Sequence, residues 1–358
     1  MAKKKIPEQV NPGTGTTHPT GDNMKYLITG GLGFIGTNFI RHILSKNPES
    51  EIINIDKIGV GANPSNLQDL EFSKNYKFVK GDISNLHLVN KIIRKVDVIV
   101  NFAAETQVDR SIVNPNTFLQ SNTIGTFTIL ESMRKHKSKA KFIQVSTGKV
   151  YGETLQDSFT EKSPLNPSNP YSASKAAAEM FTLSYHKTYK LDTRITRCTN
   201  NYGPYQLPEK LIPKTIIRAI KNLLVPIYAK GENIRDWIYV KDHCIAIERV
   251  IQRGTPGEIY NVSAKNEIPK IDIAKKILAL LGKPESLIKF VKDRPAHDKR
   301  YSLNSTKAEK ELFWLPKFSF EDSLKNTVEW YVNNEKWWTP FATETVLHPT
   351  PWKNAGKP

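Results

Sequence analysis

The sequence predicts an α/β protein in which a doubly wound parallel sheet carries a smaller α+β lobe. Short runs rich in β-branched and apolar residues alternate with longer segments of helical periodicity, which is typical of βαβ units. The runs are apolar on both faces, as expected for parallel strands that helices cover on both sides. They are Lys25–Thr29, Glu51–Asp56, Phe78–Ile83, Val96–Ala104 and Lys141–Thr147.

Helical patterns begin near Phe34 and Tyr171, and after Asn200 several prolines make the spacing irregular. Later segments of strand or helix character are Trp237–Val240, Glu258–Val262, Ile271–Leu281 and Phe318–Trp338, the last of which we interpret as core packing. The predicted organisation is a flexible extension at 1–23, a sheet domain at 24–200 with later strands interleaved from about 232–265, a second lobe mainly at 201–338, and a tail at 339–358.

Composition and charge indicate a globular chain without a membrane or nucleic-acid partner. The 358 residues are 39% hydrophobic and 24% charged, and no apolar run is long enough to span a bilayer. We therefore expect a cytoplasmic protein. The net charge of +17 is spread over the folded region instead of forming a basic arm. Cys198 and Cys244 have no spacing suited to a disulfide framework or a metal, so we predict two buried thiols and no metal site.

A glycine-rich turn follows the first predicted strand. Gly30, Gly33 and Gly36 have the G-x-x-G-x-x-G spacing, in which missing side chains let a pyrophosphate reach the N–H groups of a helix N-terminus. Asp56 ends the second strand, where its carboxylate accepts hydrogen bonds from a ribose diol and repels a 2′-phosphate. The pattern predicts NAD rather than NADP, although the adjacent Lys57 weakens that preference. The first domain is therefore predicted to be an NAD-binding domain of the Rossmann type.

A candidate catalytic pair lies at the start of the long helix. Tyr171 and Lys175 are four residues apart and so share one helix face, where the ammonium and a charged nicotinamide favour a phenolate that takes a hydroxyl proton. The same spacing recurs at Tyr76 and Lys80, but in a predicted strand the two side chains are too far apart to act together. Thr147, at the end of the preceding strand, is predicted to orient the substrate alcohol.

Further motifs occur in order along the chain: Asn101-Phe102-Ala103-Ala104-Glu105, Val108-Asp109-Arg110-Ser111-Ile112, Asn200-Asn201-Tyr202-Gly203-Pro204-Tyr205, Pro208-Glu209-Lys210-Leu211-Ile212-Pro213, Arg235-Asp236-Trp237 and Asp293-Arg294-Pro295-Ala296-His297. With these motifs the chain resembles the dTDP-glucose 4,6-dehydratases, which are extended short-chain dehydrogenase/reductases, from about Met24 to Trp338.

The resemblance implies bound NAD, a nucleotide-sugar substrate and a homodimer. Together with the glycine turn it gives a predicted cofactor site of Gly30, Gly33, Phe34, Ile35, Gly36, Asp56, Lys57, Asp82, Ile83, Ala103, Ala104, Tyr171, Lys175 and Asn201. The implied substrate site is Thr106, Asn200, Lys210, Leu211, Tyr228, Arg235, Arg294 and His297. Its cations suit a diphosphate, because an Arg guanidinium binds phosphate oxygens in pairs.

One position departs from the resemblance. The dehydratases oxidise C4 of the sugar, eliminate water across C5 and C6, and return the hydride to C6, and their elimination acid and base are the Asp and Glu of Ser-Thr-Asp-Glu-Val-Tyr-Gly. This chain has Gly148 and Lys149 there. Glycine has no proton to give, and lysine is a base only where its pKa is lowered. The predicted catalytic residues are Tyr171, Lys175, Thr147 and Lys149.

Three functions stay open at this point. The first is an NAD-dependent nucleotide-sugar 4,6-dehydratase acting on dTDP-glucose or a related hexose, with Lys149 as base and water as acid. The second is a nucleotide-sugar epimerase that shares the C4 oxidation, since CDP-tyvelose epimerases carry a similar Ser-Thr-Asn-Lys-Val-Tyr-Gly. The third is a non-catalytic NAD- or nucleotide-sugar-binding homologue. Departures from the family at Gly59, Val60, Gln107 and Lys270 leave the nucleotide base and the sugar undetermined.

Overall fold

The computed structural model describes residues 23–293 and 297–350. Its strands, in chain order, are β1 (Lys25–Thr29), β2 (Glu51–Asp56), β3 (Tyr76–Lys80), β4 (Val98–Asn101), β5 (Lys141–Thr147), β6 (Thr193–Cys198), β7 (Asn200–Tyr202), β8 (Val225–Tyr228), β9 (Ile234–Tyr239), β10 (Ile259–Val262), β11 (Glu267–Pro269), β12 (Ile288–Val291) and β13 (Arg300–Tyr301).

Helices connect most of these strands. They are α1 (Phe34–Lys46), α2 (Leu86–Ile92), α3 (Val108–Val113), α4 (Pro115–Phe118), α5 (Gly125–Lys135), α6 (Pro170–Tyr189), α7 (Leu211–Ile220), α8 (Val240–Arg253), α9 (Lys270–Leu280), α10 (Thr306–Leu312), α11 (Phe320–Asn333), α12 (Glu335–Trp338) and α13 (Glu344–Leu347). A π-helical turn, Leu119–Ile124, joins α4 to α5, and a 3₁₀ turn, Gly148–Tyr151, follows β5.

The seven-stranded sheet is parallel throughout, in the order β3-β2-β1-β4-β5-β6-β10. Helices α1 and α8 pack together on one face, and α2, α5 and α6 pack together on the other. Separate apolar clusters fill the space under each helical layer. The predicted doubly wound parallel sheet is therefore confirmed.

The predicted strands agree with the structure in part. Strands β1, β2 and β5 have the predicted bounds. The third strand ends at Lys80 and not at Ile83, because the Asp82 carboxylate accepts a hydrogen bond from the Ser84 N–H (2.9 Å) and closes a turn. The fourth is shorter than predicted and ends at Asn101, where the chain turns. Strand β6 was not predicted, because its two arginines interrupt the apolar pattern.

The smaller lobe is built on a second sheet. Strand β9 lies between β11 and β13 and also pairs with β7, while β8 and β12 form a separate parallel pair. Residues 232–265, where later sheet strands were predicted, contribute β10 to the central sheet and β9 to this one. The domain boundaries given above remain predictions.

The two ends of the chain are described only in part. Residues 1–22 and 351–358, and with them most of the predicted extension and part of the tail, lie outside the described residues. In the described part of the tail, α13 packs through Leu347, and the Lys214 and Arg218 side chains of α7 donate to the carbonyl oxygens of His348 (3.3 Å) and Leu347 (2.7 Å). No helix within residues 23–293 and 297–350 is long and apolar enough to cross a membrane.

Candidate active site

A cleft opens at the carboxyl ends of the central strands, where β1 and β4 lie side by side and the strand order reverses. This is the usual ligand position in an open parallel sheet. Most of the predicted site lines it: Gly30, Gly33, Phe34, Ile35, Gly36, Asp56, Lys57, Asp82, Ile83, Ala103, Ala104, Thr106, Thr147, Lys149, Tyr171, Lys175, Asn200, Asn201, Lys210 and Leu211. Residues from five strand ends and from the 198–212 segment therefore share one cavity.

The glycine turn is shaped to admit a ligand. Gly30 has φ +70°, and a Cβ there would lie 2.7 Å from the backbone nitrogen of Ala103, so the position requires glycine. Gly33 is the N-cap of α1 and places no capping side chain over the helix end. The first N–H groups of a helix have no acceptor within the helix, and here they border the cleft. The turn therefore leaves space for a pyrophosphate at the helix end, and its role as a phosphate site stays a prediction.

Asp56 stands where a ribose would be recognised. Its carboxylate is buried at the end of β2 and accepts hydrogen bonds from the N–H groups of Leu32 (3.2 Å) and Ile58 (2.9 Å). Burial raises the pKa of Asp56, and these two hydrogen bonds oppose that change. The carboxylate is thus fixed in place with further acceptor positions for a diol.

Lys57 is directed toward acidic groups. Its Nζ donates to Ser121 Oγ (2.6 Å) and lies 3.5 Å from Glu105 and 3.7 Å from Asp82. Because two carboxylates lie near this ammonium, it would attract a 2′-phosphate only weakly. The arrangement favours an adenosine ribose with free hydroxyls.

Tyr171, Lys175 and Thr147 meet at the end of β5. The Tyr171 hydroxyl shares a hydrogen bond with Thr147, and its pKa is raised by burial and then by the nearby Cys198, while the bond with Thr147 lowers it. Burial lowers the pKa of Lys175 to about 8. The Lys175 ammonium donates to the carbonyl oxygen of Val145 (2.6 Å). Burial thus disfavours the phenolate, and positive charge brought into the cleft favours it.

A buried ion pair supports this end of the sheet. Glu179, one helical turn beyond Lys175, accepts from Ser146 Oγ on β5 and from the Arg197 guanidinium on β6 (2.9 and 2.5 Å), and all three side chains are buried. The Arg197 guanidinium also donates to the Tyr151 hydroxyl (2.6 Å). The network ties α6 to two strands and so fixes the helix face that carries Tyr171 and Lys175, the predicted catalytic pair.

Gly148 and Lys149 occupy the 3₁₀ turn that follows β5. Lys149 is half-buried, lines the cleft and donates its N–H to Thr147 Oγ1 (3.3 Å). Gly148 does not have a positive φ, so its backbone accepts any residue. The space beside it is filled instead, since a Cβ there would lie 2.8 Å from Cδ1 of the buried Leu303. An acidic side chain at this position would have to displace Leu303.

We expect Gly148→Asp to destabilise the fold by about 2–3 kcal/mol, because it overfills an apolar pocket and buries a carboxyl group. Adding Leu303→Ala should recover at least about 1 kcal/mol relative to the sum of the two single changes, since each residue occupies the other's space. Urea unfolding of the two single variants and the double variant measures this coupling. If the changes in the free energy of unfolding were strictly additive, Leu303 would not be the reason that glycine is required at position 148.

Three predicted substrate residues, Arg235, Tyr228 and His297, are not among the residues that line the cleft. Arg235 donates to the carbonyl oxygens of Asp298 (2.7 Å) and Lys299 (3.1 Å) and lies over the Tyr301 ring. The Tyr228 and His297 rings are in contact, with centroids 6.0 Å apart. His297 is also bonded to Lys270 and, at 2.5 Å, to Asp293. Arg294, predicted with them, lies outside the described residues. Their role in substrate binding stays a prediction.

The structure adds cleft residues that the predicted site lacked. Gln107, a noted departure from the family, accepts a hydrogen bond from the Lys210 ammonium (2.7 Å), whose pKa burial lowers. Glu105 and Glu209 also line the cavity, and both lie in motifs quoted above. Cys198 lies on the cleft floor, and both cysteines are buried free thiols, as predicted. Among the described residues no three His, Cys, Asp or Glu side chains are grouped to hold a metal ion.

Comparison with known proteins agrees with this geometry. Residues 27–327 match the family model described as GDP-mannose 4,6 dehydratase. The chain belongs to this family. It is also 41% identical over 346 residues to dTDP-glucose 4,6-dehydratase of Escherichia coli, with 88% of this chain and 95% of the relative covered.

Solved structures give the same relationship. The crystal structure of dTDP-glucose 4,6-dehydratase from Bacillus anthracis in complex with NAD is 45% identical, with a TM-score of 0.83 over 89% of this chain and 99% of that one. UDP-glucose 4-epimerase from Thermotoga maritima is 27% identical, with a TM-score of 0.81 over 87% and 100%. Backbone similarity is thus nearly equal for dehydratase and epimerase, whereas sequence identity is higher for the dehydratase.

Proposed function

We propose that this member of the dehydratase family is an NAD-dependent nucleotide-sugar 4,6-dehydratase acting on dTDP-glucose or a related nucleoside-diphosphate hexose. The observation that carries the proposal is the meeting of the Tyr171, Lys175 and Thr147 side chains in the same cleft as the glycine turn. The higher identity to the dehydratases supports this reaction over epimerisation.

The first half-reaction follows from the chain's own groups. Bound NAD supplies the hydride acceptor and a positively charged ring. Thr147 holds the 4-hydroxyl of the sugar beside Tyr171, whose phenolate oxygen takes its proton. Lys175 contributes a buried positive charge to the same cleft, and positive charge there lowers the free-energy cost of forming the phenolate. Since these three side chains are buried, their charges act strongly on one another.

The second half-reaction, the elimination of water, involves the turn after β5. The 4-keto group acidifies the C5 proton, and Lys149 is the cleft residue at the position of the family's base. An amine removes that proton only in its neutral form, which burial and nearby cations favour. Gly148 has no proton to give, so we assign protonation of the departing C6 hydroxyl to a water molecule. The hydride taken from C4 then adds to C6 and the Lys149 ammonium returns a proton to C5, so the net change is the loss of one water molecule.

Epimerisation is the second candidate, and the Gly148-Lys149 sequence is the observation that favours it. Oxidation and re-reduction at C4 need only Tyr171, Lys175 and Thr147, without an elimination acid. The two functions predict different products from one sugar nucleotide.

Mass spectrometry of the products separates these functions. Purified protein is incubated with NAD⁺ and dTDP-glucose, then with UDP- and CDP-glucose. Loss of one water molecule from any of the sugars establishes dehydration and shows that Gly148-Lys149 replaces the usual acid and base. An unchanged mass with a new C4 stereoisomer by NMR assigns epimerisation, and no reaction with all three contradicts the proposed substrate class.

We further propose that the protein is a cytoplasmic homodimer. Two buried free thiols accord with a reducing compartment. Apolar side chains near α5 and α6 are exposed, among them Leu119 (48%), Met180 (47%) and Phe181 (38%). A patch of this kind is typical of an interface between copies.

Met180→Asp should convert the dimer to a monomer, because it would place a carboxylate in the apolar contact. Size-exclusion chromatography with light scattering measures the mass. Phe72→Asp is the control, since Phe72 is 96% exposed away from this patch and its replacement should leave the mass unchanged. A monomeric wild-type protein would contradict the dimer.

A further inference from the structure

A histidine that lies outside the cleft is bonded to one of its walls. His243, in the first turn of α8, is fully buried, and its Nδ1 lies 2.9 Å from Oδ1 of Asn201 on β7. Asn201 lines the cleft and is a predicted cofactor residue. His243 is in none of the predicted sites, and this contact links it to the cleft.

The donors and acceptors around Asn201 fix the direction of this bond. The Asn201 amide nitrogen donates to the carbonyl oxygen of Thr199 (3.1 Å) and to Cys198 Sγ (3.3 Å). A carbonyl can only accept, so the amide cannot be turned over, and Oδ1 must face His243. Oδ1 is an acceptor, and therefore His243 Nδ1 carries the proton.

The rest of the ring agrees with a single tautomer. Burial lowers the pKa of His243 to about 3, so the ring is neutral and Nε2 carries no proton. Nε2 is buried and has no hydrogen-bond partner among the described residues. The ring therefore contributes one polar interaction, the donation from Nδ1 to Asn201.

Cys198 connects the bond between His243 and Asn201 to the proposed catalytic groups. Cys198 ends β6 on the cleft floor, and its thiol faces both Tyr171 and Lys175 closely enough to affect their pKa values. The Asn201 backbone is held separately, since its carbonyl oxygen accepts from the Gln206 side chain (2.8 Å). His243 thus fixes the amide side chain, while Gln206 fixes the main chain.

We propose that His243 is a positioning residue for the cofactor end of the cleft, and that it acts by donating from Nδ1 to hold the Asn201 amide against Cys198. The inference rests on the proposed NAD site, because His243 would affect the cofactor only through Asn201. It does not depend on whether dehydration or epimerisation follows.

Two substitutions of similar size distinguish the effect of the Nδ1 hydrogen bond from the effect of packing. His243→Asn keeps an N–H near the position of Nδ1, and His243→Leu removes the donor and keeps the bulk. We expect His243→Leu to release bound NADH about fivefold faster, the effect of losing one hydrogen bond, with His243→Asn close to wild type. Stopped-flow release of NADH, without any sugar nucleotide, is the measurement, and the melting temperature of each variant is recorded beside it.

The outcomes are distinct. Faster release with His243→Leu and recovery with His243→Asn support the proposal, whereas equal release rates in both variants overturn it. If His243→Leu does not fold, nitrogen NMR of the wild-type ring decides, because a proton on Nε2 would overturn the assignment. If the variants release NADH as expected but the wild-type protein turns over no sugar nucleotide, the proposed function is contradicted and this inference is still supported.

Discussion

Tyr171→Phe should lower the rate of sugar turnover by about a thousandfold, because it removes the only hydroxyl in the predicted catalytic set placed to take the 4-hydroxyl proton. Phenylalanine keeps the ring that packs on Phe118 and Val108, so the fold and NAD binding should be retained. Product formation followed by mass spectrometry, together with NAD content after purification, checks both statements.

The second Tyr-x-x-x-Lys copy provides a matched control. Tyr76 lies in β3, outside the cleft, and its hydroxyl accepts a hydrogen bond from the Asn54 amide (2.8 Å). Tyr76→Phe should cost about 1 kcal/mol of stability and leave turnover unchanged. Wild-type turnover by Tyr171→Phe would refute the catalytic assignment, and equal losses in both variants would point to general structural damage.

Lys149→Ala should separate the two half-reactions. Oxidation at C4 uses Tyr171 and Lys175, so NADH should still form on mixing with substrate, whereas elimination should slow by about a hundredfold when the base is removed. Absorbance of NADH reports the first step. Exchange of the C5 proton with deuterated solvent reports the second.

Lys149→Arg tests whether the amine acts as a base or only as a positive charge. Arginine keeps the charge but does not release its proton at usable pH, so it should be as slow in C5 exchange as Lys149→Ala. Recovery of exchange by arginine would assign an electrostatic role. Full dehydration by Lys149→Ala would place the base elsewhere in the cleft, where Glu105 and Glu209 also lie.

The sequence brought residues into the cleft most directly where their arrangement depends on a local pattern. The glycine turn needs three small residues between a strand and a helix, and Tyr171 and Lys175 need only one helix face, so spacing predicts both. Context also separated the two Tyr-x-x-x-Lys copies, since the one at Tyr76 lies in a strand. These features involve neighbours in the chain and are visible without the fold.

Contacts between distant segments could not be predicted in the same way. Arg194 and Arg197 make β6 appear polar in sequence, yet both are buried because Glu179 and backbone carbonyls satisfy them. Arg235, predicted to bind a phosphate, also donates to the backbone carbonyl oxygens of residues 298 and 299, which its charge did not indicate. A charged residue in a sequence does not reveal which groups it bonds in the folded chain.

The sequence by itself determined the parallel sheet, the glycine turn between β1 and α1, and the shared helix face of Tyr171 and Lys175, because each follows from periodicity or spacing within one or two elements. The tertiary structure decided the rest. It placed Leu303 beside Gly148, turned Lys57 toward Asp82 and Glu105, and set His243 against Asn201. These contacts join residues far apart in the chain, and their strength depends on burial and on donor and acceptor geometry, which only the packed molecule defines.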